Sequence, residues 1–166
     1  MIRQNERRLI LVGIDGSDAA ALALNWAIEL AHDVGGELAV VHALDTELIA
    51  YLTQHLKGRF DLNDWEREQR GAFEDEWTAP LTRSGVPSRT LIMQGRPTTV
   101  LQEAAKGLNA DLIVVGRHGH RMVTRMLLGS VADALVHHSP VPVVVYPPPE
   151  VSDLDMDEGP HLEVSG

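Results

Sequence analysis

Apolar positions along this chain keep two alternating rhythms. Residues 9–14 form a short continuous apolar run, Leu-Ile-Leu-Val-Gly-Ile, and then Ala20, Ala23, Leu24, Ala27, Ile28 and Ala31 recur at helical spacing. The first pattern predicts a strand covered on both faces, the second an amphipathic helix. Between them lies Asp15-Gly16-Ser17, where Ser17 or Asp18 is placed to cap the helix. Gly35-Gly36 predicts its stop, and residues 37–44 a second strand centred on Leu38, Ala39, Val40 and Val41. The alternation returns further on. A strand is predicted over 88–93, a turn at Gly95-Arg96-Pro97, and a helix from Pro97 to about Gly107. A strand over 112–115, a helix over 130–138 ended by Pro140, and a strand over 141–146 follow. Pro142 inside that last run predicts an edge position.

The stretch between Asp45 and Pro87 carries a weaker signal. Trp65, Phe73 and Trp77 are spaced to share one helix face, which predicts a helix at about 63–83. Aromatics at that spacing read as core against the sheet rather than as a base-stacking platform. Residues 45–62 predict a connection with a short helix around 48–56. Strands and helices alternate throughout, so the class is α/β, a parallel sheet with helices on both faces. Ligands of such sheets bind at the carboxyl ends of strands where strand order reverses. Asp15 ends the first strand and Gly116 ends the fourth; if these strands are neighbours, both border one crevice.

Composition narrows the class. The 166 residues suit one domain, and 44% hydrophobic with 23% charged residues is ordinary for a globular chain. With 4% aromatics, the core is built from Val, Leu, Ile and Ala. A formal net charge of −10 argues against general nucleic-acid binding. There is no cysteine, which removes disulfides and Cys-ligated metals and fits a reducing compartment. Residues 1–8 read as a polar, basic extension, and the apolar run behind them is too short for a signal-peptide core. No stretch reaches the ~20 apolar residues that span a bilayer. The expected location is cytoplasmic. Residues 147–166, Pro-rich and then acidic, read as an extended or disordered tail, leaving 9–146 as the folded domain.

Against the acidic whole stands one basic island. Gly116-Arg117-His118-Gly119 is followed by nine residues and then by Gly129-Ser130. The intervening segment holds His120, Arg121 and Arg125 and no acidic residue. A strand running into glycines, then a Gly-Ser opening a helix, is the layout of a phosphate cradle. Glycines let backbone N–H groups approach phosphate oxygens, and a helix N-terminus adds about half a positive charge. The bland alternative is tight turns and close helix–strand packing; the basic loop favours phosphate. Arg117, Arg121 and Arg125 fit phosphate or partner contact and a solvated face equally well. Asp15 fits both a capping and a ligand-binding role, and its place at the crevice mouth favours the latter. The histidines show no metal-ligand spacing. The segment is not a P-loop, and no lysine stands beside Ser130, so strong phosphoryl-transfer catalysis is not expected.

These residues together resemble the universal stress protein family, in its ATP-binding branch. The resemblance rests on Val12-Gly13-Ile14-Asp15-Gly16-Ser17, on Val41-His42-Ala43, on the spaced Gly116, Gly119, Gly129 and Ser130, and on the closing Ser139-Pro140-Val141-Pro142-Val143. It covers about residues 8–146. It implies a single open parallel sheet in the order 3-2-1-4-5, adenine nucleotide alpha hydrolase-like. It also implies ATP at the ends of strands one and four. Ile14 and Ala43 would meet the adenine end, beside Gly13. Asp15 would lie near the ribose and phosphates or a bound Mg²⁺. Gly116, Arg117, His118, Gly119, Gly129, Ser130 and Val131 would surround the phosphates. The family resemblance further implies a homodimer through strand five and a role in stress response or signalling. Three functions follow: a nucleotide-dependent regulatory protein, a dimeric interaction module without nucleotide dependence, or a slow ATP hydrolase.

Overall fold

A computed structural model describes residues 7–55, 61–117 and 128–147. Its elements are β1 (Leu9–Gly13), α1 (Asp18–Val34), β2 (Glu37–Leu44), α2 (Thr46–His55), α3 (Leu62–Ala72) and a π-helical turn (Phe73–Trp77). They continue with α4 (Ala79–Ser84), β3 (Ser88–Gln94), α5 (Pro97–Leu108), β4 (Leu112–Gly116), α6 (Ser130–His138) and β5 (Val143–Tyr146). The five strands form one parallel sheet in the order β3-β2-β1-β4-β5. Both the class and the strand order are those expected from the sequence. β1 is central and every one of its residues is buried, which is why it reads as an unbroken apolar run.

Two apolar clusters cover the sheet, one on each face. Under α1, Ala20, Ala23, Leu24, Ala27 and Ala31 pack on Ile10, Val12, Leu38, Val40 and Val114, with Phe73 and Leu81 beside them. Under α5 and α6, Val100, Leu101, Ala104, Ala105, Ala132 and Leu135 pack on Leu11, Ala39, Val41, Ile113 and Val115. The alanine stripe of α1 brings that helix close to the strands. Ser17 caps it, its side chain accepting from the Ala20 amide at 3.2 Å, and Gly35 ends it.

Three sequence expectations are adjusted. The predicted helix over 63–83 is three pieces, because a π-helical turn interrupts it between α3 and α4. Of its three aromatics Phe73 is buried, whereas Trp65 and Trp77 are half-buried. Strand five starts at Val143, not residue 141: Pro142 precedes it, and its carbonyl accepts from the Ile113 amide. The edge position inferred from Pro142 holds. The short helix expected around 48–56 is α2, and Leu56 lies outside the described residues.

Candidate functional site

β1 and β4 are neighbours, with Gly13 paired to Val115, so the chain leaves β1 beside Gly116. This brings the Asp15 segment and the Gly116 segment to one end of the sheet, as the crevice argument required. The loop between β1 and α1 is tightly organised. Asp15 Oδ1 accepts from both the Ser17 amide (3.0 Å) and the Ser17 hydroxyl (2.6 Å). Its Oδ2 takes no hydrogen bond from the described residues. Gly16 has φ +82°, a conformation that glycine adopts without strain. A Cβ at Gly16 would clash with the six-membered ring of Trp77, at its Cζ2 and Cε2 atoms.

Across the crevice, the Arg117 amide donates to the Tyr146 carbonyl at 2.8 Å. The Arg117 carbonyl in turn accepts from the Gly129 amide at 2.9 Å. The second bond closes the loop at its base and sets the start of α6 next to the end of β4. Gly129 is the N-cap of α6 and supplies no side-chain cap; Ser130 after it is exposed. The first amides of α6 therefore look outward at a helix end that carries partial positive charge. Val131 is half-buried against the cluster under α5 and α6. His118 and Gly119, with His120, Arg121 and Arg125, lie outside the described residues.

Two of the glycines read as nucleotide contacts have a packing reason of their own. A Cβ on Gly116 would lie 2.7 Å from the Ala19 carbonyl carbon and 2.9 Å from the Ala20 nitrogen. One on Gly13 would lie 2.8 Å from a Leu101 methyl. Neither position has a positive φ; what each requires is space. Ile14 and Ala43 reach the same end of the sheet on neighbouring strands, yet Ile14 joins the cluster under α1 and Ala43 the cluster under α5.

Sequence reading noted His42 only as part of a motif, and the structure makes it central. It is 5% exposed. Its Nδ1–H donates to the Ile14 carbonyl at 2.9 Å, and Nε2 has no hydrogen-bond partner among the described residues. The ring stacks on Phe73 with centroids 5.9 Å apart and meets Trp77 edge-on at 5.0 Å. Burial lowers its pKa below the ordinary histidine value; the Ile14 bond and the Asp15 charge oppose that shift, and Arg70 adds to it. The signal was available: His42 occupies the same strand face as Leu38 and Val40, a core-facing register.

No cluster of three or more His, Cys, Asp or Glu able to hold a metal exists among the described residues. Asp15 alone fits the way Mg²⁺ is commonly held, by one carboxylate together with nucleotide phosphates. No helix among the described residues is long and apolar enough to cross a membrane.

A family profile described as "Universal stress protein family" matches residues 6–147. The universal stress protein Rv2005c of Mycobacterium tuberculosis (strain ATCC 25618 / H37Rv) is 36% identical over 138 residues, covering 82% of this chain and 44% of the relative. The chain thus spans less than half the length of that mycobacterial relative. The solved structure of hypothetical protein MJ0577 superposes with a TM-score of 0.71 at 23% identity, covering 89% of this chain and all of that one. A universal stress protein solved in complex with cAMP gives 0.61 at 24% identity, covering 86% and 98%. At these identities the two structures establish a shared fold.

Proposed function

The chain belongs to the universal stress protein family, and we propose that it is a nucleotide-dependent regulatory member that binds ATP with Mg²⁺ at the Asp15–Gly116 crevice. The observation that carries this reading is the convergence of two elements on Gly116. The Asp15–Ser17 loop lies on one side, and the start of α6, without a side-chain cap, on the other. Amides at the α6 terminus suit phosphate oxygens. Asp15, with Oδ1 engaged by Ser17, has Oδ2 for a metal or a ribose hydroxyl. The relative crystallised with cAMP supports an adenine nucleotide as the ligand class.

Hydrolysis is expected to be slow. Among the described residues near the crevice, no side chain is arranged as a water-positioning base. The imidazole beside the loop among the described residues, His42, is buried and already bonded to Ile14. Binding would act through a ligand-dependent change of conformation. The same reading makes the protein a cytoplasmic homodimer joined through β5, whose four residues stay half-exposed at the sheet edge.

Calorimetry with MgATP, MgADP and cAMP tests the proposal, paired with hydrogen exchange over residues 116–130. MgATP binding with new protection there, before measurable turnover, is the expected outcome. Failure of all three ligands to bind, or turnover near ~10 s⁻¹ as in a working enzyme, refutes it.

A further inference from the structure

The residue just before Asp15 has both of its backbone polar groups held by successive residues of β2. The Ile14 amide donates to the Val41 carbonyl at 3.0 Å, and the Ile14 carbonyl accepts from the His42 ring at 2.9 Å. The second bond stands where the β1 ladder has ended, since β1 closes at Gly13. It is made by a side chain and fixes the plane of the Ile14–Asp15 peptide. That plane determines where the Asp15 carboxylate can go.

A second arm reaches the same loop. Trp77 lies against Gly16 on one side and edge-on to His42 on the other, at an interplanar angle of 83°. Phe73 stacks on the imidazole and meets Trp77 edge-on at 6.4 Å. The π-helical turn supplies both rings. Phe73 and Trp77, four apart, face one imidazole, and the Thr78 amide bonded to the Phe73 carbonyl closes the wider turn that carries them. The Thr78 hydroxyl donates to the Phe73 carbonyl (2.9 Å) and the Glu74 carbonyl (3.2 Å), stabilising that turn. An interruption of a helix that aims its side chains at a ligand-facing loop has a local purpose.

We propose that His42 is the positioning residue of the Asp15–Ser17 loop, fixing the Ile14–Asp15 peptide through its Nδ1–H and seating Gly16 through Trp77. The proposal rests on the reading of this loop as part of a nucleotide site, and its test lets the two fail separately. It assigns two jobs to one ring, a donor and a flat backing, and substitutions separate them. His42→Phe keeps the ring and loses the donor. His42→Asn keeps a donor and loses the ring.

A merely structural role ranks the variants by packing, with Phe above Asn in stability and in binding alike. A positioning role reverses the order for binding. MgATP affinity should fall about tenfold in His42→Phe and recover in large part in His42→Asn, although Asn is the less stable protein by urea unfolding. The Ser17 amide, bonded to Asp15 Oδ1, reports the loop without any ligand. Its hydrogen exchange should quicken in His42→Phe and less so in His42→Asn. Trp77→Leu, at a half-buried ring, provides an arm outside the deep core; it should also quicken Ser17 exchange. Affinity that follows stability across the His42 variants overturns the proposal. So does Ser17 exchange unchanged in both His42→Phe and Trp77→Leu. If wild type binds no nucleotide, the functional reading fails while the exchange data still decide the positioning role.

Discussion

Ser130→Glu separates ligand electrostatics from folding. Ser130 is the first residue of α6, exposed, next to the N-cap Gly129. A carboxylate there interacts favourably with the helix dipole, by about 0.3–1 kcal/mol. For a chain of this size that raises Tm by ~1–4 °C. The same carboxylate stands where the phosphate would sit. Two unit charges ~6 Å apart at an effective dielectric near 20 repel by ~3 kcal/mol, and salt screening removes part of this. A residual of about 1.4–2.7 kcal/mol corresponds to a loss of about 10- to 100-fold in affinity. Calorimetry with MgATP and thermal unfolding of the same samples are the two measurements. The expected pair is weaker binding with unchanged or higher Tm, and destabilisation cannot produce that combination. Unchanged affinity would place the phosphates away from α6 and refute the cradle.

Three further predictions follow from particular contacts. Gly116→Ala drives a methyl into the Ala19–Ala20 backbone, and urea unfolding should show a loss of about 1–3 kcal/mol; wild-type stability would show that α1 can move away. Stability should fall with acidification through His42. Its native pKa lies below the unfolded value of ~6.5, so the unfolded chain takes the proton first and each pH unit below that costs ~1.4 kcal/mol until the native pKa is reached. Comparison of wild type with His42→Asn at pH 7.5 and 5.5 isolates this slope, and equal slopes refute it. Val143→Lys with Val145→Lys should convert a sedimenting dimer to monomer, and a wild type that sediments as a monomer at all concentrations removes the β5 interface.

Much of the architecture was legible because buried strands leave unbroken apolar runs, as in residues 9–14, and because α1 repeats its alanines at helical spacing. The π-helical turn was not legible. Phe73 and Trp77, four apart, satisfy an α-helical face equally well, and only the backbone bond from the Thr78 amide to the Phe73 carbonyl, five residues back, reveals the wider register. The limits of β5 shifted because Val141 and Val143 look alike in hydropathy; hydrogen bonding, not apolarity, decides where a ladder begins. Around the candidate site, Asp15, Gly116 and Ser130 were named from the sequence by their types in sequence order. His42 and Trp77 were not, because their roles depend on contacts between elements 28 or more residues apart in sequence.

The glycines show why a motif and a packing contact need not compete. Gly116 has no side chain because the first turn of α1 lies directly on it. That close approach sets the Asp15–Ser17 loop against the end of β4. The Arg117–Gly129 hydrogen bond then brings the start of α6 to the same place. A larger residue at position 116 would hold α1 off the sheet and separate a carboxylate from the helix end it faces across the crevice. The glycine read from sequence as part of a phosphate pattern is therefore first a rule about how closely α1 can approach the end of β4. The same geometry explains why Gly116→Ala should weaken folding and binding together, whereas Ser130→Glu should weaken binding alone.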